Sequence, residues 1–169
     1  GVPDSSLSAA MGYAEESGIP YEMGLIKNKY IGRTFIQPSQ ALREKGVKMK
    51  LSAIRSIVDG KRIALIDDSI VRGTTSKRIV TMLREAGAKE VHVRIVSPTM
   101  THPCCYGVDT TTLDELISAK YSVEETCKII GADSLAFMSV EECLASSNGK
   151  CEKMCFACFD GKYPTPITH

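Results

Sequence analysis

The sequence has no tryptophan, and its aromatic content is only 6%. That leaves little with which to build a platform that stacks a nucleobase. An excess of charge of one sign is also missing. Lys and Arg number 21 against 20 Asp and Glu, for a formal net charge of +1, so the bulk electrostatics does not point to nucleic acid. No apolar run approaches the roughly 18 residues that a membrane span needs. Residues 1–6 lack the basic start and apolar core of a signal peptide. There is no Gly-Lys-Ser/Thr of a Walker loop and no Gly-x-Gly-x-x-Gly dinucleotide fingerprint. What remains is a globular chain of 169 residues, one domain by default, expected in the cytoplasm. Gly1, where a Met would be usual, reads as a sign of a fragment or a processed product.

What is there is organised around Ile63-Ala64-Leu65-Ile66-Asp67-Asp68-Ser69-Ile70-Val71-Arg72-Gly73-Thr74-Thr75-Ser76. An apolar run ends in two acids, a turn rich in Gly and hydroxyl residues follows, and a helical pattern begins. This reads as strand, anion-binding loop, helix. Gly73 lets the backbone approach an anion with no Cβ in the way. Thr74, Thr75 and Ser76 offer hydroxyls, and their N–H groups lie at a helix start, where unpaired donors and the positive dipole end hold a phosphate. The two carboxylates do the opposite. They repel a bare phosphate, but they accept hydrogen bonds from sugar hydroxyls or hold a hard cation such as Mg²⁺. A ligand that satisfies both ends has a vicinal diol and a phosphate, as ribose 5-phosphate does. The bland alternative is a capped helix after a buried strand, with Asp67 and Asp68 as surface acids. Two acids directly after a buried strand are costly unless a partner meets them.

The rest of the chain alternates strands and helices, which predicts an α/β fold with a mostly parallel sheet and ligands at the carboxyl ends of its strands. Helical spacing runs from Leu7 to Ser17, stopped by Gly18, with Ser5 and Ser6 as candidate N-caps. Residues 21–26 read as a short strand, Arg62 to Ile66 as a central strand, Thr75 to Ala86 as a helix ended by Gly87, and Glu90 to Val96 as a strand. Two helices are expected over Thr112–Ala119 and Ser122–Ile130, then a strand over Ser134–Met138 and a helix over Ser139–Ala145. The later two helices start with Ser-x-x-Glu, the capping-box spacing. Lys27 to Lys50 is basic and broken by Gly32, Pro38 and Gly46, and reads as a long functional loop or a solvated basic surface. The expected division is a domain over residues 1–150 and a cysteine-containing tail over 151–169.

The motif Asp67-Asp68-Ser69-Ile70-Val71-Arg72-Gly73-Thr74-Thr75-Ser76 resembles the phosphoribosyl-pyrophosphate signature of the type I phosphoribosyltransferases. Pro3-Asp4-Ser5-Ser6, Lys27-Asn28-Lys29-Tyr30-Ile31-Gly32-Arg33-Thr34-Phe35-Ile36 and Gly161-Lys162-Tyr163-Pro164 extend the resemblance to the amidophosphoribosyltransferase family over essentially the whole chain. The resemblance implies transfer of the phosphoribosyl group of 5-phosphoribosyl 1-pyrophosphate to ammonia, as a first step of purine synthesis. It assigns the substrate to Asp67, Asp68, Ser69, Val71, Arg72, Gly73, Thr74, Thr75 and Ser76. Mg²⁺ falls to Ser5, Asp67 and Asp68. Lys27, Tyr30 and Arg33 become catalytic side chains on a loop that closes over the pyrophosphate. Glutamine would supply the ammonia through an N-terminal glutaminase domain that this sequence does not resemble. A homo-oligomer and feedback inhibition by purine nucleotides are further implications. Two other readings stand beside this one. The first is a binding domain of the same fold that senses a nucleotide or phosphoribosyl pyrophosphate without turnover. The second is a nucleobase salvage enzyme, disfavoured by the lack of aromatics.

Seven Cys, an odd number, argue against a closed disulfide framework. Cys155-Phe156-Ala157-Cys158 is a Cys-x-x-Cys unit, read from spacing alone as zinc, a redox pair or coincidence. The family resemblance implies a [4Fe–4S] cluster of structural role on Cys104, Cys155 and Cys158. Its fourth ligand would lie upstream of residue 1, or be Cys151 at a different spacing. Cys105, Cys127 and Cys143 read as small apolar residues, His92 as structural and His102 as a neighbour of the cluster.

Overall fold

The computed structural model describes residues 1–28, 51–108, 110, 112–147 and 154–167. The long basic loop, with Lys29, Tyr30 and Arg33, lies outside the described residues, as does Cys151. Chain order among the described residues begins with α1 (Leu7–Ser17), β1 (Leu25–Lys27), β2 (Leu51–Ala53), α2 (Arg55–Val58), β3 (Arg62–Asp67), α3 (Thr74–Glu85) and β4 (Glu90–Ile95). A 3₁₀ turn (Leu113–Glu115), α4 (Ile117–Lys120), α5 (Val123–Ile130), β5 (Ser134–Phe137), α6 (Val140–Ser146) and α7 (Ala157–Asp160) complete it.

The sheet β3–β4–β5 is parallel, with Asp67 level with Ile95 and Ile95 level with Phe137. β1 and β2 form a separate antiparallel pair. β4 alternates as its sequence predicts: Val91, Val93 and Ile95 are buried. It holds the centre of the sheet, which corrects the placement of β3 there. β3 is flanked on its far side by the N-terminal residues, where Val2 N–H donates to Ile66 O at 2.9 Å. Its apolar composition reflects cover by helices on both faces rather than a strand on each side.

α3 carries the core. Ile79, Val80 and Leu83 are each 1% exposed and pack with Leu65, Val91, Val93, Ile117 and Ile130. Met82 and Ala86 are only partly buried against this cluster. Both Ser-x-x-Glu starts form capping boxes, Ser122 with Glu125 and Ser139 with Glu142. Residues 112–119, expected as one helix, split instead into the 3₁₀ turn and α4. Leu116, fully buried between them, has extended backbone at φ −91°, ψ 108°. Burying Leu116 there outweighs the local helical pattern. Asp133 ties three elements together, accepting from Val91 N–H at 2.6 Å and from the Arg84 guanidinium. His92 bridges Ser134 Oγ and Glu90 Oε2, both at 2.9 Å, a structural role on β4.

Replacing Leu83 by Ala should cost about 2–5 kcal/mol, because the cavity opens where α3 meets the sheet. Met11→Ala, at a residue 53% exposed, should change stability by less than about 0.5 kcal/mol. Urea unfolding midpoints of the two variants check this.

Candidate functional site at the carboxyl end of the sheet

The site is built where β3 ends and α3 begins. Asp67, the last residue of β3, is only 7% exposed, whereas its neighbour Asp68 is exposed. β3 ends at Asp67 and Asp68 begins the turn, so two consecutive acids meet two environments. Asp67 Oδ1 accepts from Ser6 Oγ at 3.1 Å and from Asp68 N–H at 2.9 Å. Both donors go to the same oxygen, and no hydrogen bond among the described residues reaches Oδ2. Burial, offset only in part by these donors, pushes the Asp67 carboxyl up to about 6. The negative charge of Asp68 adds to the rise.

The hydroxyl that meets Asp67 is Ser6, buried at 1% exposure, and not Ser5, which is exposed. Ser6 occupies the N-cap position of α1 but gives it no side-chain cap. Its hydroxyl is committed to Asp67 instead. Two adjacent serines before a helix do not reveal in sequence which one turns inward.

The loop between Asp68 and α3 is fixed from behind. Ile117 N–H donates to Val71 O at 2.8 Å, and Arg72 pairs with Glu115 at 2.6 Å. The Arg72 side chain therefore faces the 3₁₀ turn rather than the loop's own concavity. Gly73 stands at φ 74°, a left-handed conformation that costs other residues strain, and a Cβ there would lie 2.7 Å from Ile117 Cδ1. Ser76 is buried, whereas Thr74 and Thr75 are exposed. No side chain caps α3 and no acid lies in its first turn, so its leading N–H groups are left to solvent or to a ligand. Ser69 Oγ donates to Asp68 Oδ1 at 3.3 Å.

Beside this helix start lies a cleft of about 490 Å³ lined by Pro3, Lys27, Leu51, Thr74, Thr75, Arg78, Ile79 and Met82. Lys27, on the opposite wall from Thr74 and Thr75, is held 2.7 Å from Asp4. Arg78 was missed in the sequence, where it reads as one more solvent-facing charge on α3.

No family model matches the chain. Over 99% of its length it is 66% identical to amidophosphoribosyltransferase of Bacillus subtilis, 56% to that of Synechococcus elongatus and 54% to the chloroplastic enzyme 1 of Arabidopsis thaliana. The chain is homologous to amidophosphoribosyltransferases. It spans 36%, 34% and 30% of those relatives' lengths. It also superposes with a TM-score of 0.87 and 65% identity on the B. subtilis glutamine phosphoribosylpyrophosphate amidotransferase complexed with ADP and GMP, covering 98% of this chain and 37% of that one. The parallel sheet flanked by helices is the phosphoribosyltransferase fold of that amidotransferase neighbour. The resemblance read from the motifs agrees with these homologues.

Cys104, Cys155 and Cys158 lie at a second place. Residues 101 and 102 donate their N–H groups to Cys158 O at 3.0 and 3.1 Å, and Tyr163 Oη–H donates to Pro103 O at 2.6 Å. The C-terminal segment is thereby docked on residues 101–106. Burial pushes the Cys158 thiol up, and the nearby Cys104 and Cys155 push it further. The Cys104 thiol moves down, because N–H groups of Tyr106, Val108 and Gly107 point at its sulfur. Among the described residues no group of three or more His, Cys, Asp or Glu is arranged to hold a metal ion. Cys127 and Cys143 are partly buried, but Cys105 is exposed, which corrects its reading as a packed apolar residue. His102 lies against Gly161 and within 2.9 Å of Thr101 Oγ1.

The Asp67 environment has a sign. An ordinary Asp titrates near 3.8, and this one near 6. Between those values the folded chain binds more protons than the unfolded one, so stability falls as pH rises through the window, and the loss is complete above pH 6. Asp67→Asn should raise stability at pH 7.5 by on the order of 2 kcal/mol and leave it unchanged near pH 3.5. Chemical unfolding at the two pH values measures this.

Proposed function

We propose that this chain carries the phosphoribosyl-transfer chemistry of its amidophosphoribosyltransferase relatives. The substrates would be 5-phosphoribosyl 1-pyrophosphate and ammonia, and the products 5-phosphoribosylamine and pyrophosphate. One observation carries the reading. A buried carboxylate with a free oxygen stands at the end of β3, within one loop of an uncapped helix start. That pairing suits a sugar diol and a phosphate on the same ligand and has little use otherwise. The N–H groups of residues 73–76 and the hydroxyls of Thr74 and Thr75 hold the 5-phosphate. Asp67 and Asp68 orient the ribose hydroxyls.

The ammonia nitrogen attacks the anomeric carbon, the bond from that carbon to the pyrophosphate oxygen breaks, pyrophosphate leaves with the electron pair, and the extra proton on nitrogen passes to the departing pyrophosphate or to solvent. Lys27 and Arg33 offset the charge of the leaving group, and the Tyr30 hydroxyl donates a hydrogen bond to it. The chain's contribution is positioning and electrostatic stabilisation of the leaving group rather than proton transfer by a named base. Mg²⁺ fits the donor set, since Asp67 Oδ2 and exposed Asp68 are hard oxygen donors side by side; when bound it would neutralise pyrophosphate charge. Purine nucleotides are proposed as inhibitors through the same ribose 5-phosphate handle, in keeping with the ADP and GMP in the B. subtilis structure. Glutamine as ammonia source, a homo-oligomer and a cytoplasmic location complete the proposal.

Cys104, Cys155 and Cys158 would hold an iron–sulfur cluster of structural role. Their soft sulfur donors fit it, they lie within electrostatic reach of one another, and N–H groups aimed at Cys104 favour its thiolate. A remaining ligand would come from outside the described residues.

Calorimetry with Mg²⁺ should show binding of phosphoribosyl pyrophosphate, weakened about tenfold or more by Asp68→Asn. Pyrophosphate release with ammonia separates turnover from mere sensing. No binding of either phosphoribosyl pyrophosphate or ribose 5-phosphate would sink the proposal. For the cluster, the full-length gene product purified without oxygen should be brown and contain iron and acid-labile sulfide. Cys155→Ser should lose both, and a colourless wild type would refute the assignment.

A further inference from the structure

Ser6 departs from what its place in the chain predicts. It stands at the N-cap position of α1, where a serine hydroxyl normally accepts from the leading N–H groups of the helix. Here φ is −99° and ψ is 5°, outside the extended region of a capping residue, and no side-chain cap forms. No acid in the first turn takes its place. The hydroxyl turns the other way and donates to Asp67 Oδ1, across 61 positions of sequence. A local rule broken at one position marks a functional feature.

The surroundings hold Ser6 in that posture. Its N–H donates to Val2 O at 3.2 Å, and Val2 N–H donates to Ile66 O at 2.9 Å, next to Asp67. The Ser6 carbonyl accepts from Ala10 N–H at 2.9 Å. Val2 and Ser6 are both buried, so this frame is packed as well as bonded. The carboxylate has need of it. The charge of Asp68 acts against that of Asp67, and the terminal torsion of an Asp side chain has a broad well that fixes no single orientation. The Asp68 N–H reaches Oδ1 at 2.9 Å, but it is one donor from the adjoining residue. A second donor on the same oxygen, from a separate segment, restricts the rotation of the carboxyl group.

We infer that Ser6 is a positioning residue: it keeps Asp67 Oδ1 occupied and so directs Oδ2 at a hydroxyl of the bound sugar. The inference rests on the phosphoribosyl reading above. Ser6 acts only through Asp67.

The test compares two ligands by calorimetry on the full chain at neutral pH: ribose 5-phosphate, and inorganic phosphate, which needs only the loop at residues 73–76. Ser6→Ala should weaken ribose 5-phosphate about tenfold, the scale of a lost hydrogen bond to a charged group, and leave inorganic phosphate unchanged. Ser6→Cys, with its weaker donor, should fall between. Asp67→Asn should also weaken ribose 5-phosphate, and adding Ser6→Ala to it should cost nothing further, the non-additivity of two residues that act as a unit. Helix content of Ser6→Ala by circular dichroism should match the wild type, because the hydroxyl caps nothing. Unchanged affinity of Ser6→Ala for ribose 5-phosphate overturns the inference. An equal loss for both ligands, or a full further loss in the Asp67→Asn background, overturns it too, since either would make Ser6 a merely structural residue. If the wild type binds inorganic phosphate but not ribose 5-phosphate, the phosphoribosyl reading itself falls, and the positioning role with it.

Discussion

A carboxylate withdrawn from water at the end of β3 is the constraint around which the molecule is arranged. Its cost is visible in the raised titration of Asp67. The two donors that reduce the cost come from different parts of the chain. Ser6 gives up capping α1 to supply one, and the backbone at Asp68 supplies the other. The N-terminal segment is thus fastened to the strand tip by the same contact that prepares the site. A protein with no use for that charge would be more stable with a neutral residue there.

The regular elements were legible because their signals are local. β4 alternates, α5 and α6 announce themselves by Ser-x-x-Glu, and the apolar stretch before Asp67 could only be buried. The tip of β3 and the Gly–Thr–Thr loop were legible for the same reason. What failed depended on packing between distant segments. The position of β3 in the sheet and the break at Leu116 are decided by neighbours far along the chain. The consecutive acids also looked alike, yet one is buried at the strand's last position and the other is exposed just past it. Arg78 left a fainter trace: a basic helix start without acids, visible in sequence only if the helix boundary is already known.

The cysteine-bearing segment shows a related division of labour. Spacing alone identified Cys155 and Cys158 as a pair. Cys104 is brought near them by hydrogen bonds between residues 101–103 and residues 158–163, which bring segments more than fifty positions apart into register. The thiols and the phosphate loop are separate features, each assembled around its own long-range contacts.

The bracing of the loop has a consequence for how a ligand meets it. Ile117 holds Val71 by its N–H and fills the space beside Gly73, while Glu115 holds Arg72. The loop is therefore preorganised, and the proposed phosphate would meet it at little cost in ordering entropy. The association step should resemble docking to a rigid surface, with any conformational adjustment left to other segments. Positions 73 and 117 also share one space. A side chain at position 73 would meet Ile117 and also a left-handed backbone, so relief at 117 removes only one of its two costs.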